Sequence, residues 1–494
     1  MTSSSSPPAV FEQVRNSQFL KLFVVGFLVL LLQIPTFMMY GLINERQNIR
    51  EQAVTEVTGK WGSAQTIVGP RLIVPYLRRV GKDDKVVTTT QKATFLPEQL
   101  QISGTMDSQM RHRGIFDIPV YTSKLEISGQ FDRPDLSNWG IKPEDILWNK
   151  AELSVQVADT RAITNQVQLD WNGTAILFEP GLGKLHTPSN EGDFNMPSSP
   201  IYNDRTYGSG KTIQPPAKLS PNTGIHVLLK DRMEAKTFTF KLPLEVRGSE
   251  QLSFVPMGKF TKVNLTSNWA NPSFQGGWLP EKPKVTKSGF EASWDVSFLG
   301  RNFPQQWNVD APVNERTIYD TRFGVDLLSP TDNYRLAERS IKYNFLFLVL
   351  TFAVLWLFEV VAKLRVHPLQ YMMVGVAMCL FYLLQLALSE HLGFHTAYAV
   401  ASVAVVIMIT TYTMSVLQAK RRGSIVGIMQ VSLYSYLYVV LASQDYSLLL
   451  GSIGLFGFLS VVMFLTRKVD WFNSSSPRPI ARPPEPLPFE DPLP

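Results

Sequence analysis

The sequence contains almost no cysteine. Its 494 residues include one, Cys379, and that residue lies within a long apolar stretch. A single cysteine excludes an intrachain disulfide and the paired cysteines of a zinc site. Whatever folds outside the apolar stretches must therefore be held together by its own hydrophobic core.

Charge is also scarce, and its distribution does not suit nucleic-acid binding. Charged residues make up 18% of the chain, against about 25% in soluble domains. The net charge is +6, and the basic residues cluster beside the apolar stretches instead of forming a continuous stripe. This pattern indicates membrane topology and excludes nucleic acid as an expected partner.

The familiar catalytic signatures are missing as well. The sequence has no phosphate-binding loop, no G-x-S-x-G nucleophile motif and no H-E-x-x-H metal motif. Such motifs supply the nucleophile, base or metal ligands that their reactions require. We therefore predict no catalytic residue, no cofactor and no enzymatic activity, although a site assembled from distant positions is invisible in sequence.

What the sequence does contain is long apolar runs. The first covers 19–42, and after it come about 300 residues of ordinary composition. A helix needs roughly 20 residues to cross the hydrocarbon core, and its backbone must satisfy its own polar groups there. The sequence predicts about six transmembrane helices: the anchor, then a five-helix block at 342–466 with spans at 343–362, 369–388, 396–417, 424–442 and 447–465.

Charged residues between the spans predict their orientation. Lys and Arg accumulate in cytoplasmic loops. They occur here before the first span and in alternate connections, at Arg15, Lys363, Arg365, Lys420, Arg421, Arg422, Arg467 and Lys468; the other connections carry Glu390, His391 and Asp445. We predict a multi-pass protein of a bacterial inner membrane, with a cytoplasmic tail at 1–18, a Pro-rich cytoplasmic tail at 467–494 and the segment 43–341 in the periplasm.

The periplasmic segment has the pattern of a β-rich domain. Residues 44–60 can continue the first helix as a polar stalk, and apolar and polar residues then alternate, without a fault from Phe238 to Val246. Alternation is typical of antiparallel sheets with one buried face, and Gly and Pro separate the runs. We predict a large antiparallel, sandwich-like domain, with a possible lobe boundary at 186–222, which is rich in Pro, Ser, Asn and Gly.

Six polar residues near or inside the spans are candidates for a site. Glu390, His391 and His395 share one hairpin and form a weak candidate metal or proton site, but Gly393 between them favours a solvated loop. Three candidates lie within the spans: Glu359, Gln385 and Gln430. Glu359 precedes Lys363 by one helical turn, which favours an interfacial ion pair. The two amides favour helix packing, and a substrate path is the alternative.

Several segments resemble the CreD family of inner-membrane proteins over roughly residues 15–473. The segments that carry the resemblance are Val68-Gly69-Pro70-Arg71-Leu72-Ile73-Val74-Pro75, His112-Arg113-Gly114-Ile115-Phe116, Leu265-Thr266-Ser267-Asn268-Trp269, Pro272-Ser273-Phe274, His367-Pro368-Leu369-Gln370-Tyr371, Ala387-Leu388-Ser389-Glu390-His391, and Thr466-Arg467 with Asp470-Trp471. The resemblance implies a role in cell-envelope integrity under envelope stress. It supplies no catalytic residues to transfer.

Three hypotheses for function remain. The first, which we favour, is a non-catalytic envelope protein whose periplasmic domain binds or braces an envelope or cell-wall component or a neighbouring inner-membrane protein. The second is a transporter or lipid-handling protein, against which stands the lack of hydropathy symmetry between the first span and the later five. The third is a membrane-bound enzyme with a site unrecognised in the sequence.

Overall fold

The computed structural model describes residues 18–80, 87–183, 223–230, 232–327, 333–362, 366–443 and 446–467. Most of the two predicted tails, the possible lobe boundary at 186–222, and the loop residues Lys363, Arg365 and Asp445 lie outside these residues. The chain divides into two units. One comprises residues 1–47 and 331–494, and the other comprises residues 48–330.

The first unit is helical. Its helices are α1 (Gln18–Leu31), the first part of α2 (Gln33–Trp61), α4 (Asn333–Lys342), α5 (Asn344–Ala362), α6 (Pro368–Leu392), α7 (Phe394–Val416), α8 (Lys420–Ala442) and α9 (Ser447–Thr466). The part of α2 from residue 48 onward and a short helix, α3 (Glu315–Tyr319), belong to the other unit. Within the described ranges, five helical runs are long and apolar enough to cross a membrane. There are six if α4 and α5, which meet at a bend of 43°, count as one span.

The first apolar run is interrupted at Leu32, between α1 and α2. Pro35 has no backbone N–H and cannot bond the carbonyl one turn earlier, which is a common cause of a helix break. The Leu32 carbonyl accepts a hydrogen bond from Thr36 Oγ1 at 3.0 Å and a weaker one from Cys379 Sγ at 3.8 Å. Beyond the break, α2 continues to Trp61, so the expected polar stalk is helical.

The start of α6 explains part of the motif His367-Pro368-Leu369-Gln370. His367 Nδ1 accepts a hydrogen bond from the Leu369 N–H at 3.2 Å, and Gln370 Oε1 accepts one from the His367 N–H at 2.9 Å. Pro368 is the first helical residue, where its missing N–H costs nothing. The motif therefore forms a reciprocal cap that fixes where the helix begins.

The second unit is a β domain of two sheets. The first sheet contains β1 (Gln65–Val80), β2 (Val87–Phe95), β5 (Glu152–Val157), β8 (Glu179–Pro180), β9 (Gly224–Leu228), β11 (Gln251–Phe254), β13 (Pro272–Gly276), β16 (Gln306–Asn308) and β17 (Phe323–Leu327). The second contains β3 (Gln99–Arg113), β4 (Phe116–Asp132), β6 (Gln168–Trp171), β7 (Thr174–Leu177), β10 (Thr237–Ser249), β12 (Phe260–Ser267), β14 (Lys284–Thr286) and β15 (Gly289–Ser297).

The second sheet has the order β14-β15-β12-β3-β4-β10-β6-β7. The first runs β13-β17-β11-β1-β5-β9-β8, and β2 pairs with the later part of β1 and with β16. Pairing is antiparallel except for β1 with β11 and β3 with β12. Parallel neighbours need a long connection, and in both cases more than 100 residues of sequence separate the two strands, so local alternation does not reveal these pairs.

Both sheets contribute to one hydrophobic core. Every second residue of β10, from Phe238 to Val246, is buried, as the alternation predicts. Trp171 stacks on Phe238, with ring centroids 5.3 Å apart, and Trp294 packs against Phe323 of the other sheet at 5.8 Å. The predicted architecture, a polytopic helical membrane protein with a large β-rich domain after its first helix, is confirmed.

Candidate functional site

The three polar residues predicted inside the spans are buried and bonded to other helices. Gln385 Oε1 on α6 accepts a hydrogen bond from Ser340 Oγ on α4 at 3.1 Å. Gln430 Nε2 on α8 donates to Thr351 Oγ1 on α5 at 3.2 Å. Glu359 on α5 accepts from Tyr371 Oη on α6 at 3.1 Å. The expected partner of Glu359, Lys363, lies outside the described residues.

A fourth polar contact was not predicted from the sequence. Asn344 Nδ2, at the start of α5, donates to Thr36 Oγ1 of α2 at 2.6 Å and lies 4.0 Å from Cys379 Sγ of α6. All three side chains are buried. One asparagine therefore joins three helices, and its only signal in the sequence is an amide at the edge of an apolar run.

These buried amides are incompletely satisfied. Asn344 Oδ1, Gln385 Nε2 and Gln430 Oε1 have no hydrogen-bond partner among the described residues. An unpaired polar atom in a hydrocarbon environment is costly. The contacts support the packing interpretation of these residues, and the three unpaired atoms keep a polar path between the helices as the alternative.

We expect Gln430→Leu to destabilise the helical unit only modestly, by about 1 kcal/mol, because interhelical hydrogen bonds in membranes are worth about 0.6 to 2 kcal/mol and one Gln430 atom is already unpaired. Thr351→Val removes the same bond and serves as the matched variant. Thermal unfolding in detergent measures both. If the two losses add fully in the double variant, the hydrogen bond is not what holds these helices together.

The structure does not bring Glu390, His391 and His395 together. Glu390 Oε1 accepts a hydrogen bond from Tyr334 Oη at 3.0 Å and lies 3.6 Å from Arg46 Nε. His395 Nδ1 lies 3.1 Å from Tyr438 Oη, and His391 is exposed. Gly393, with a φ of 74°, ends α6 and begins α7 between the two histidines. No group of three potential metal ligands occurs within the described ranges.

The β domain holds a buried ion pair that the sequence did not suggest. Arg71 of β1 donates two hydrogen bonds to the Glu315 carboxylate of α3, at 2.6 and 2.8 Å, and the exposed fractions of the two side chains are 7% and 20%. Burial lowers the pKa of the nearby Lys92, an effect that Glu315 opposes and Arg71 reinforces. This cluster covers the outer face of the first sheet, where β5 is buried at all six positions.

A serine and a histidine stand opposite each other on the same face. Ser154 of β5 pairs in register with His226 of β9. However, His226 Nδ1 contacts the Gly181 carbonyl at 3.0 Å, and its Nε2 lies 3.9 Å from a Glu179 carboxylate oxygen. The imidazole is thus directed at the turn after β8, so these residues lack the serine–histidine hydrogen bond of a nucleophilic site.

An open groove of about 500 Å³ lies on the second sheet of the β domain. It lies where β12 ends, and its walls come from β3, β12 and the β14–β15 hairpin. Thr105, Asp107, Thr266, Asn268, Lys284 and Glu291 contribute to it. Asn268 Nδ2 donates to Asp107 Oδ1 at 2.9 Å. Met106 and Phe290 also line it, so the groove offers both polar and apolar groups to an extended ligand.

Comparison with known proteins agrees with this architecture. The family model described as "Inner membrane protein CreD" matches residues 17–472. A curated protein of that name from Escherichia coli (strain K12) is 31% identical over 462 residues, which cover 91% of this chain and 93% of that protein. The polytopic helical unit and the β domain both fall within the matched length. The chain therefore belongs to the CreD family of inner-membrane proteins.

Proposed function

We propose that this multi-pass inner-membrane protein supports the integrity of the cell envelope without catalysing a reaction, and that its β domain, on the periplasmic side, binds or braces an envelope component. The groove at the end of β12 is the observation that carries the proposal. It is open, and hydroxyl and amide side chains line it together with the charged Asp107, Lys284 and Glu291 and the apolar Met106 and Phe290. Enzyme sites and small-molecule pockets usually enclose their ligands, so this shape favours a chain-like ligand.

Chain connectivity supports a local role at the membrane. The β domain follows the first apolar helix and precedes the later ones, so it is attached to membrane helices through both of its ends. Two attachments restrict its reach, which suits an extended or immobile partner better than a diffusing metabolite. Lipid, cell-wall material and neighbouring membrane proteins are such partners.

A second candidate function is transport or lipid handling by the helical unit. The unpaired atoms of Asn344, Gln385 and Gln430 favour it, since polar groups inside membrane helices often mark substrate paths. The variants Asn344→Leu and Gln385→Leu separate the two. They leave envelope function intact at normal protein levels if the amides serve packing, and they abolish it if the amides line a path.

The proposed orientation predicts an all-or-none result with alkaline phosphatase fusions. The enzyme needs disulfides, which form in the oxidising periplasm. Fusion after residue 200, between β8 and β9, should give high activity, and fusion after Arg422, at the start of α8, should give background activity. Immunoblots control for fusion abundance. Activity at Arg422 would overturn the orientation inferred from the basic loops.

The proposed function predicts an envelope phenotype without an auxotrophy. A strain lacking the gene should become more sensitive to detergents or cell-wall antibiotics and should grow normally on minimal medium. Full-length protein should restore resistance, and the secreted β domain alone should not, because it lacks membrane attachment. Full rescue by the secreted domain at equal abundance contradicts this proposal.

A further inference from the structure

The β3–β4 hairpin carries an open strand edge beside the groove. β12 pairs with β3 only as far as Ser267 opposite Met106, whereas β3 continues to Arg113. Beyond that point β3 has one strand neighbour among the described residues, β4. Residues 109–113 are all exposed. The last third of β3 is therefore an edge next to the groove.

The direction of the backbone groups along this edge follows from two observations. The Ser108 N–H donates to Asn268 Oδ1 at 2.8 Å, and the Ser108 carbonyl accepts from Asn268 Nδ2 at 3.1 Å. Ser108 thus directs both backbone groups away from β4. Alternate residues of an antiparallel strand face the same way, so Met110 and His112 do as well. Met110 is opposite Pro119, which has no N–H to donate.

Asn268 acts as a side-chain substitute for one more residue of β12. Its amide bonds both backbone groups of Ser108, as a residue of a paired strand would. The next two residues whose backbone groups face outward, Met110 and His112, have no backbone partner among the described residues. Unpaired backbone N–H and carbonyl groups on a strand edge can bind an extended segment by strand addition. A segment entering here would continue the line of β12.

Edge strands are often protected by charged side chains, but those of this hairpin are held elsewhere. Arg113 forms a bidentate contact with Glu56 at 2.8 and 3.0 Å, and the Arg111 guanidinium lies 4.4 Å from the centre of the Trp61 ring. Arg247 covers the same ring at 4.6 Å. These contacts draw the arginines onto the sheet face and leave the backbone edge accessible.

We infer that this edge, from Met110 to Arg113, binds an extended polypeptide segment that carries acidic side chains. Arg111, Arg113 and Arg247 concentrate positive charge around the edge, against Glu56 and Asp117. An acidic segment complements this charge, whereas pairing with the same edge of a second copy would oppose basic residues to one another. This inference rests on the proposed function, because it identifies the envelope component as a protein segment.

The test uses the full-length protein in lipid nanodiscs. The probe is a pool of eight-residue peptides with Glu at alternate positions and Val, Ile, Leu or Thr between them. We expect the wild type to bind the pool, and Met110→Pro to bind at least ten-fold more weakly because it lacks one N–H. Met110→Thr keeps the N–H and should bind as the wild type does. A peptide pool N-methylated at alternate backbone nitrogens should not bind the wild type. This arm tests the backbone hydrogen bonds between the peptide and β3 without altering the protein.

Any one of four outcomes overturns the inference. Three are the absence of pool binding to the wild type, equal binding by Met110→Pro, and equal binding of the N-methylated pool. The fourth is a wild-type dimer that Met110→Pro converts to a monomer, which would assign the edge to a second copy. Rescue of the deletion strain separates the two proposals. If wild type and Met110→Pro both restore resistance but neither binds peptide, the inference fails and the proposed function stands. If wild type restores nothing, the proposed function fails, and peptide binding still decides the inference.

Discussion

Arg71→Met should destabilise the β domain by about 3–5 kcal/mol, the cost of removing one partner from a buried ion pair. The Glu315 carboxylate would lose its bidentate partner in a site where little water reaches it. Lys92 acts electrostatically on the same carboxylate and offsets part of the loss. Urea unfolding followed by tryptophan fluorescence measures the change, since eight of the ten tryptophans lie in the β domain.

The control is the ion pair between Arg78 and Asp310, in which both side chains are largely exposed, at 43% and 57%. Water and salt screen such pairs, so Arg78→Met should leave the unfolding midpoint nearly unchanged. A second readout is the pKa of Lys92, which should rise towards its ordinary value when the Arg71 charge is removed. Equal effects of the two arginine variants would show that burial does not determine the contribution of Arg71.

Gly129→Ala should destabilise the β domain by at least about 3 kcal/mol, at the upper end of what overpacking costs. Gly129 lies in the middle of β4, opposite Leu100 of β3 and Phe240 of β10. A methyl group there would meet the Gln99 carbonyl oxygen and would lie 2.8 Å from the Phe240 ring. The backbone oxygen cannot rotate away, so β3 and β4 would have to separate.

Gly277→Ala is the matched control, because a methyl group at that position has nothing within 4 Å and the backbone has no positive φ. Its unfolding midpoint should stay within error of the wild type. A second comparison sets the double variant Gly129→Ala with Phe240→Leu against Phe240→Leu alone. The ring is then absent but the Gln99 clash remains, so Gly129→Ala should still cost stability, though less than in the wild type. No cost in the Phe240→Leu background would show that the aromatic ring alone excludes a side chain.

Gly129 also illustrates what the sequence allowed us to predict. In the sequence it falls between Ile127 and Phe131 in the alternation that begins at Leu125, a period that indicates a shared strand face, and in the structure that face of β4 is the buried one. The reason that the position must be small is the Phe240 ring, which comes from more than 100 residues away. Period-two patterns report which face of a strand is buried, but not which strand covers it.

The candidate site residues show the same limit in a different way. Hydropathy located Glu359, Gln385 and Gln430, because polar residues are conspicuous in apolar runs. It did not locate Arg71, whose neighbours in β1 are buried on both faces, or its partner Glu315, which lies in a short polar helix. Nor did it indicate α4, whose residues are largely polar although it packs against α6 through Tyr334 and Ser340. Contacts between residues that are far apart in the sequence cannot be predicted from the composition around either residue.

The pairing of β1 sets the order in which the β domain can be completed. Gln65 of β1 lies beside Leu252 of β11, and β11 in turn needs Asp326 and Phe323 of β17. β1 can therefore complete its pairing only after β11 and β17 have been synthesised. We expect the β domain to fold slowly, because forming such non-local contacts requires the closure of large loops. Until β11 and β17 have been synthesised, the unfinished sheets expose unpaired strand edges, which invites aggregation. A chain whose synthesis pauses between β1 and β17 should therefore be more prone to aggregate than one that receives all its strands quickly.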